Sequence, residues 1–141
     1  MTYETEFEIL GIVIGYVAGF VTPILIHLAK KMIEPVFGIR EQISKIVYSM
    51  NLNANIISSP ANDARHLKVS DELRVLASEL LSKLVLVKSP QIPAFFRLMP
   101  SRANIEQASR ELIGIHNMML DSTRVVDIAH SSEKLARLLK L

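Results

Sequence analysis

The sequence predicts an all-α protein in which one N-terminal transmembrane helix precedes a small cytosolic bundle of about four helices. Three observations lead there. An uncharged apolar run of 21 residues, Ile9 to Ala29, lies near the start of the chain. Beyond it, apolar residues recur at intervals of three and four, the period of a helix with one buried face. No stretch alternates apolar and polar residues between turn signals, so no strand is assigned.

Composition agrees with this division. Hydrophobic residues make up 50% of the 141 and mean hydropathy is +0.30, an excess concentrated at the N-terminus rather than spread along the chain. Removing the apolar segment leaves about 110 residues, enough for one small core. The chain has no Cys and no Trp, which excludes disulfides, thiol redox chemistry and cysteine metal sites.

At 1.5 Å rise per residue, the apolar run matches the roughly 30 Å hydrocarbon layer of a bilayer. Lys30 and Lys31 follow at once, and the transmembrane helix is placed at residues 9–31, with these two lysines at the membrane surface. Glu4, Glu6 and Glu8 make residues 1–8 a short acidic tail. Three of the 14 acidic residues thus precede the run and all 16 Lys and Arg follow it, so the chain beyond Ala29 carries +5 (16 less 11). The positive-inside rule then sets the N-terminus outside and residues 32–141 in the cytoplasm. A cleaved signal peptide would need a basic start and a shorter apolar stretch, and the start here is acidic.

Gly11, Gly15 and Gly19 recur every fourth residue, and Ala18 and Thr22 widen the same side. Lipid gives no hydrophobic drive for helix pairing, so helices associate where small side chains let backbones approach. Two overlapping GxxxG motifs therefore predict self-association. Pro23 lacks an amide donor and predicts a kink, and Pro35 a second rigid point. His27 falls one turn before Lys30 and reads as an interfacial residue.

From Gly38 the residues Ile43, Ile46, Val47, Met50, Ala54 and Ile57 form one apolar face, ending near Ser58-Ser59-Pro60. A polar loop over residues 58–64 follows. Ser70 then has the character of an N-cap, with Asp71 and Glu72 in the first turn. The stripe Leu73, Leu76, Ala77, Leu80, Leu81, Leu84 and Val87 marks the next helix, which stops at Ser89-Pro90. The connection from Ser89 to Pro100 holds three prolines. It also offers a short helix from Pro93 with Phe95 and Phe96, either a plug for the bundle end or a partner contact. Ser101 caps a helix carrying Ile105, Ala108, Leu112, Ile115 and Met119. Asp121 or Ser122 begins the last one, with Val125, Ile128, Ala129, Leu135, Ala136 and Leu139 inward.

Only one spacing has a chemical meaning. Arg-x5-His occurs twice, as Arg110 to His116 and as Arg124 to His130. On a helix, Arg110 lies opposite the apolar stripe and one turn after Glu106, the spacing of an ordinary i, i+4 ion pair. His116 falls at the edge of the buried face, and His130 faces solvent with Lys134 and Arg137. An Arg followed by a His in a small helical bundle resembles the HEPN family of metal-independent ribonucleases. That resemblance implies His116 as acid or base and Arg110 as phosphate holder, the two meeting across a dimer. Glu111 after the Arg departs from the family's commonest form. One N-terminal membrane helix before such a domain also resembles the membrane-anchored, HEPN-like accessory proteins of type VI-B CRISPR systems, which implies a ring-forming membrane effector in antiviral defence. The stretch Ala108 to Asn117 looks like one found in short bacterial membrane proteins of this layout, a resemblance that implies a bacterial inner membrane as the location.

No glycine-rich phosphate loop, HExxH motif or Ser-His-Asp set stands out, so neither a cofactor nor a metal is expected. Basic residues are not interleaved with aromatics, so nucleic acid is not an expected partner. The +5 suits anionic lipid. Three functions follow as expectations: a homo-oligomeric, non-enzymatic membrane effector or pore; a membrane-tethered ribonuclease using Arg110 and His116; and a passive anchor that docks a protein partner through Phe95 and Phe96.

Overall fold

A computed structural model describes residues 3–87 and 98–139, with side chains from residue 11 onward except residue 13. Among these residues the chain is all-helical. In order come α1 (Tyr3–Leu52), α2 (Ala54–Ile57), α3 (Ala64–Leu86), α4 (Arg102–Met118), a 3-10 turn (Ser122–Arg124) and α5 (Val125–Leu139). By compactness the chain divides into two units, Met1–Glu34 and Pro35–Leu141.

In the first unit every described residue from Gly11 to Glu34 is exposed, including Ile12, Ile14, Val17, Phe20, Ile24, Leu25 and Leu28. Tyr16 and Phe20, one turn apart, stack with ring centroids 5.7 Å apart. The helix is long and apolar enough to cross a membrane. Its described side chains are not buried within this unit.

The second unit behaves oppositely. Within it, α1 buries Val36, Ile39, Gln42, Ile43, Ile46 and Ser49, a register of three and four that gives one inward face. α1 is continuous through Pro23 and Pro35, so the bundle has no separate first helix beginning at Gly38. A proline inside a helix removes one amide donor but leaves the ladder on either side intact, which is why a helix of this length tolerates both. The expected helix to Ile57 is instead divided at Asn53, whose side-chain amide turns back to the Ser49 carbonyl at 3.1 Å, and α2 forms the remaining turn.

Cross-helix hydrogen bonds give the packing order. Gln42 reaches Leu76 and Glu79, and Ser49 reaches Glu72, so α1 and α3 run antiparallel. Ser70 meets His116 and Ser109 meets Ala77, so α3 and α4 do as well. α4 packs extensively on both α3 and α5. The core between them is aliphatic: Ile39, Ile46, Leu73, Leu80, Ile105, Leu112, Ile115, Met119, Ile128 and Leu135 are almost wholly inaccessible.

Two expectations about α3 and α5 need correction. Ser70 is not an N-cap. Asp63 caps α3, accepting from the Arg65 and His66 amides at 2.9 Å each, and Ser70 lies buried nearly two turns inside. The apolar stripe of α3 runs backward through Val69 to the half-apolar ring of His66, and Asp63 is the acceptor standing just ahead of it. On α5, Ile128, Leu135 and Leu139 are buried, but Val125 and Ala129 are exposed, as is Ala54 opposite. Ser101 caps α4 as expected, accepting from the Asn104 amide at 3.2 Å, and Asp121 caps the 3-10 turn before α5. The short helix expected from Pro93, with Phe95 and Phe96, lies outside the described residues.

Leu112 is fully buried between α3 and α5. Leu112→Ala is expected to lower bundle stability by about 2–5 kcal/mol, read as an earlier urea midpoint by circular dichroism in mild detergent. A shift below about 0.5 kcal/mol would contradict this packing.

Candidate functional site

The two residues singled out on α4 occupy different environments. Arg110 is exposed, on a shallow polar surface with Ala103, Gln107 and Glu111. Its expected partner Glu106 instead accepts from Arg102 Nε at 2.8 Å, the i, i+4 pair one turn earlier. Both ends of that pair keep solvent contact, so it contributes little to stability. His116 is half-buried and turned toward α3.

There His116 takes part in a bracket that the spacing of Arg and His did not reveal. Its Nδ1 lies 2.6 Å from Ser70 Oγ and 3.0 Å from the Ser70 carbonyl oxygen, and Ser70 Oγ is 3.1 Å from the His116 carbonyl. A hydroxyl 2.6 Å from an imidazole nitrogen has the outline of a nucleophile and its base. The surrounding acceptors decide otherwise. The Ser70 carbonyl can only accept, so Nδ1 carries the proton, and the Ser70 hydroxyl is left to donate to the His116 carbonyl. Ser70 is also only 1% exposed, closed to any substrate. The pair is a two-way tie between α3 and α4, and His116 keeps only Nε2 for other contacts.

Three more buried polar groups act in the same way. Ser109 Oγ donates to the Ala77 carbonyl at 3.1 Å, Gln42 Nε2 to Glu79 at 2.9 Å and to the Leu76 carbonyl at 3.3 Å, and Ser49 Oγ to Glu72 at 2.6 Å. Gln42 Oε1 is buried without a partner among the described residues. These residues sit in the apolar register of their helices: Ser70 between His66 and Leu73, Ser109 between Ile105 and Leu112. That position, a polar residue on a buried stripe, is the signal that identifies them.

Gly11, Gly15 and Gly19 lie in open space, where a side-chain carbon would meet nothing within 4 Å. Nothing inside the unit therefore requires glycine there, although each glycine in a helix interior costs about 1 kcal/mol relative to alanine. Ala18 and Thr22 are exposed beside them, as are Lys30 and Lys31 at the end of the run. Phe95 and Phe96 lie outside the described residues.

Between the end of α1 with α2 on one side and α5 on the other, an open groove of about 490 Å³ is lined by Val47, Met50, Ala54, Val125, Ala129 and Ala136 among others. Its polar lining is limited to Asn51, Ser58 and Ser132. Among the described residues no three His, Asp or Glu side chains gather as a metal site. No family profile, curated protein or solved structure matches this chain.

If Ser70 is a tie rather than a nucleophile, Ser70→Ala lowers bundle stability by about 1–2 kcal/mol in urea unfolding. A fluorophosphonate probe for activated serines leaves Ser70 unlabelled in the wild type. Labelling at Ser70, with unchanged stability of the alanine variant, would contradict the assignment.

Proposed function

We propose that this chain is a single-pass protein of a bacterial inner membrane that self-associates through its N-terminal helix and acts by assembly, as a non-enzymatic effector that perturbs the bilayer. The observation that carries the reading is the contrast within α1. Its described residues from Gly11 to Ala29 are exposed and uncharged, whereas those after Pro35 bury one face in the bundle core.

A lipid layer is the environment that satisfies such a helix, since its backbone bonds are internal and its side chains are apolar. Lys30 and Lys31 at its end favour the cytoplasmic side for the bundle. The glycines then acquire a role that the single chain does not give them. Gly11, Gly15 and Gly19, flanked by Ala18 and Thr22, let a second copy approach backbone to backbone. Among the described residues the candidate pair on α4 is not brought together: Arg110 is exposed, and His116 spends Nδ1 on Ser70.

The experiment is crosslinking in native membranes followed by dye release from vesicles of mixed neutral and anionic lipid. Wild type is expected to give ladders of two or more copies and to release dye. Gly15→Leu places a bulky side chain in the contact and is expected to reduce both at least tenfold. A wild-type chain that stays monomeric, or a Gly15→Leu variant that assembles and leaks normally, would overturn the reading. Arg110→Ala is expected to leave both readouts unchanged, and its loss of dye release would move the site to the bundle.

A further inference from the structure

The short connector between α2 and α3 is closed by a histidine in an unusual position. His66, in the first turn of α3, is 9% exposed, with Nδ1 2.8 Å from Asp63 Oδ1 and Nε2 2.8 Å from the Ser59 carbonyl oxygen. An ionised carboxylate and a carbonyl can only accept. A neutral imidazole has one donor nitrogen and one acceptor, so it can satisfy one of these contacts and must oppose the other. Both contacts are made at full hydrogen-bond distance only when both ring nitrogens carry protons.

We infer that His66 is held as an imidazolium that pins the Ser58–Asp63 connector to the head of α3, and that loss of its proton unlatches the connector. The joint is pH-responsive and lies beside the apolar groove, since Ile57 and Ser58, at the start of the connector, form part of the groove wall. Asp63 is central to the latch. The same Oδ1 that faces His66 also accepts the Arg65 and His66 amides, so one atom caps the helix and balances the cation.

The groups facing His66 are few. From α2 and the connector come the carbonyl oxygens of Ile56 and Ser59, and Asp63 is the charged group that acts on the ring. On the adjoining end of α4, His116 is engaged with Ser70, and beyond it Asp121 and Arg124 pair with each other and with Thr123 and Asp127. The Asp63 contact raises the His66 pKa above its ordinary 6.5, against the opposing effect of burial. The His66 amide and ring in turn lower that of Asp63 below 3.8. A raised histidine pKa stabilises the fold fully below 6.5, and that contribution is lost as pH rises through the folded-state value. A lowered carboxylate pKa stabilises above 3.8 and is lost as pH falls through its own folded-state value. The latch is therefore closed from above the lowered Asp63 pKa up to the raised histidine pKa, and opens beyond it.

The test uses the full chain in detergent micelles with 15N-labelled histidine. At pH 6, His66 should show both ring nitrogens protonated, with a titration midpoint above 6.5. After correction for intrinsic exchange, amide exchange at Ser58 and Ser59, whose amides donate to the Ala54 and Ile56 carbonyls, should rise about tenfold across that midpoint. Asp63→Asn should bring the midpoint back toward 6.5, and His66→Gln should remove the pH-dependent step in exchange. A His66 with one bare nitrogen at pH 6, a midpoint at or below 6.5, or connector exchange that does not follow the titration would each overturn the inference.

Discussion

Apolar surface left exposed within the first unit is the constraint on which the rest depends. From Gly11 to Glu34 no described side chain is buried. At about 25 cal/mol per Å² of apolar area, exposing these side chains to water is costly, and the proposed reading places them in lipid, with other copies on the glycine face. The two sources are complementary. In that reading lipid covers the large side chains, Ile14, Phe20, Ile24 and Leu25, while the glycine face allows a second helix a close approach.

The bundle is held by a different balance. Its aliphatic core supplies most of the stability, but Gln42, Ser49, Ser70 and Ser109 place polar atoms among those side chains, each bonded across to a neighbouring helix. Each such bond contributes only about 1 kcal/mol net, yet leaving one unmade costs more. The ties therefore act chiefly on register. A one-turn slide of α4 along α3 would strand both Ser70 and Ser109. His116 belongs to this set, and its role as a tie accounts for its half-buried setting.

Periodicity made most of this legible in advance. The stripes of α3, α4 and the later part of α1 were readable because a buried helical face repeats every three or four residues, and Ser101 was readable as a cap because a short polar acceptor precedes an apolar run. Three features were hidden for physical reasons. The continuity of α1 through Pro35 was masked because proline removes one donor without fixing the outcome. The start of α3 is ambiguous in sequence because Ser70 and Asp63 are both good caps, and only packing decides which is inside. The Glu106 pair was assigned to Arg110 because Arg102 and Arg110 are equally spaced from it. At the candidate site, the Arg110 and His116 spacing was plain, but the Ser70 tie joins residues 46 apart in sequence and needed the fold.

Membrane insertion and self-association form one claim, that α1 is at once anchor and assembly surface. The most direct measurement is the mass of the particle released from native membranes into lipid nanodiscs or by native mass spectrometry. The account predicts a discrete multiple of the 15.8 kDa chain with no other protein bound. A particle carrying a single copy, or a chain recovered in the soluble fraction, would contradict it.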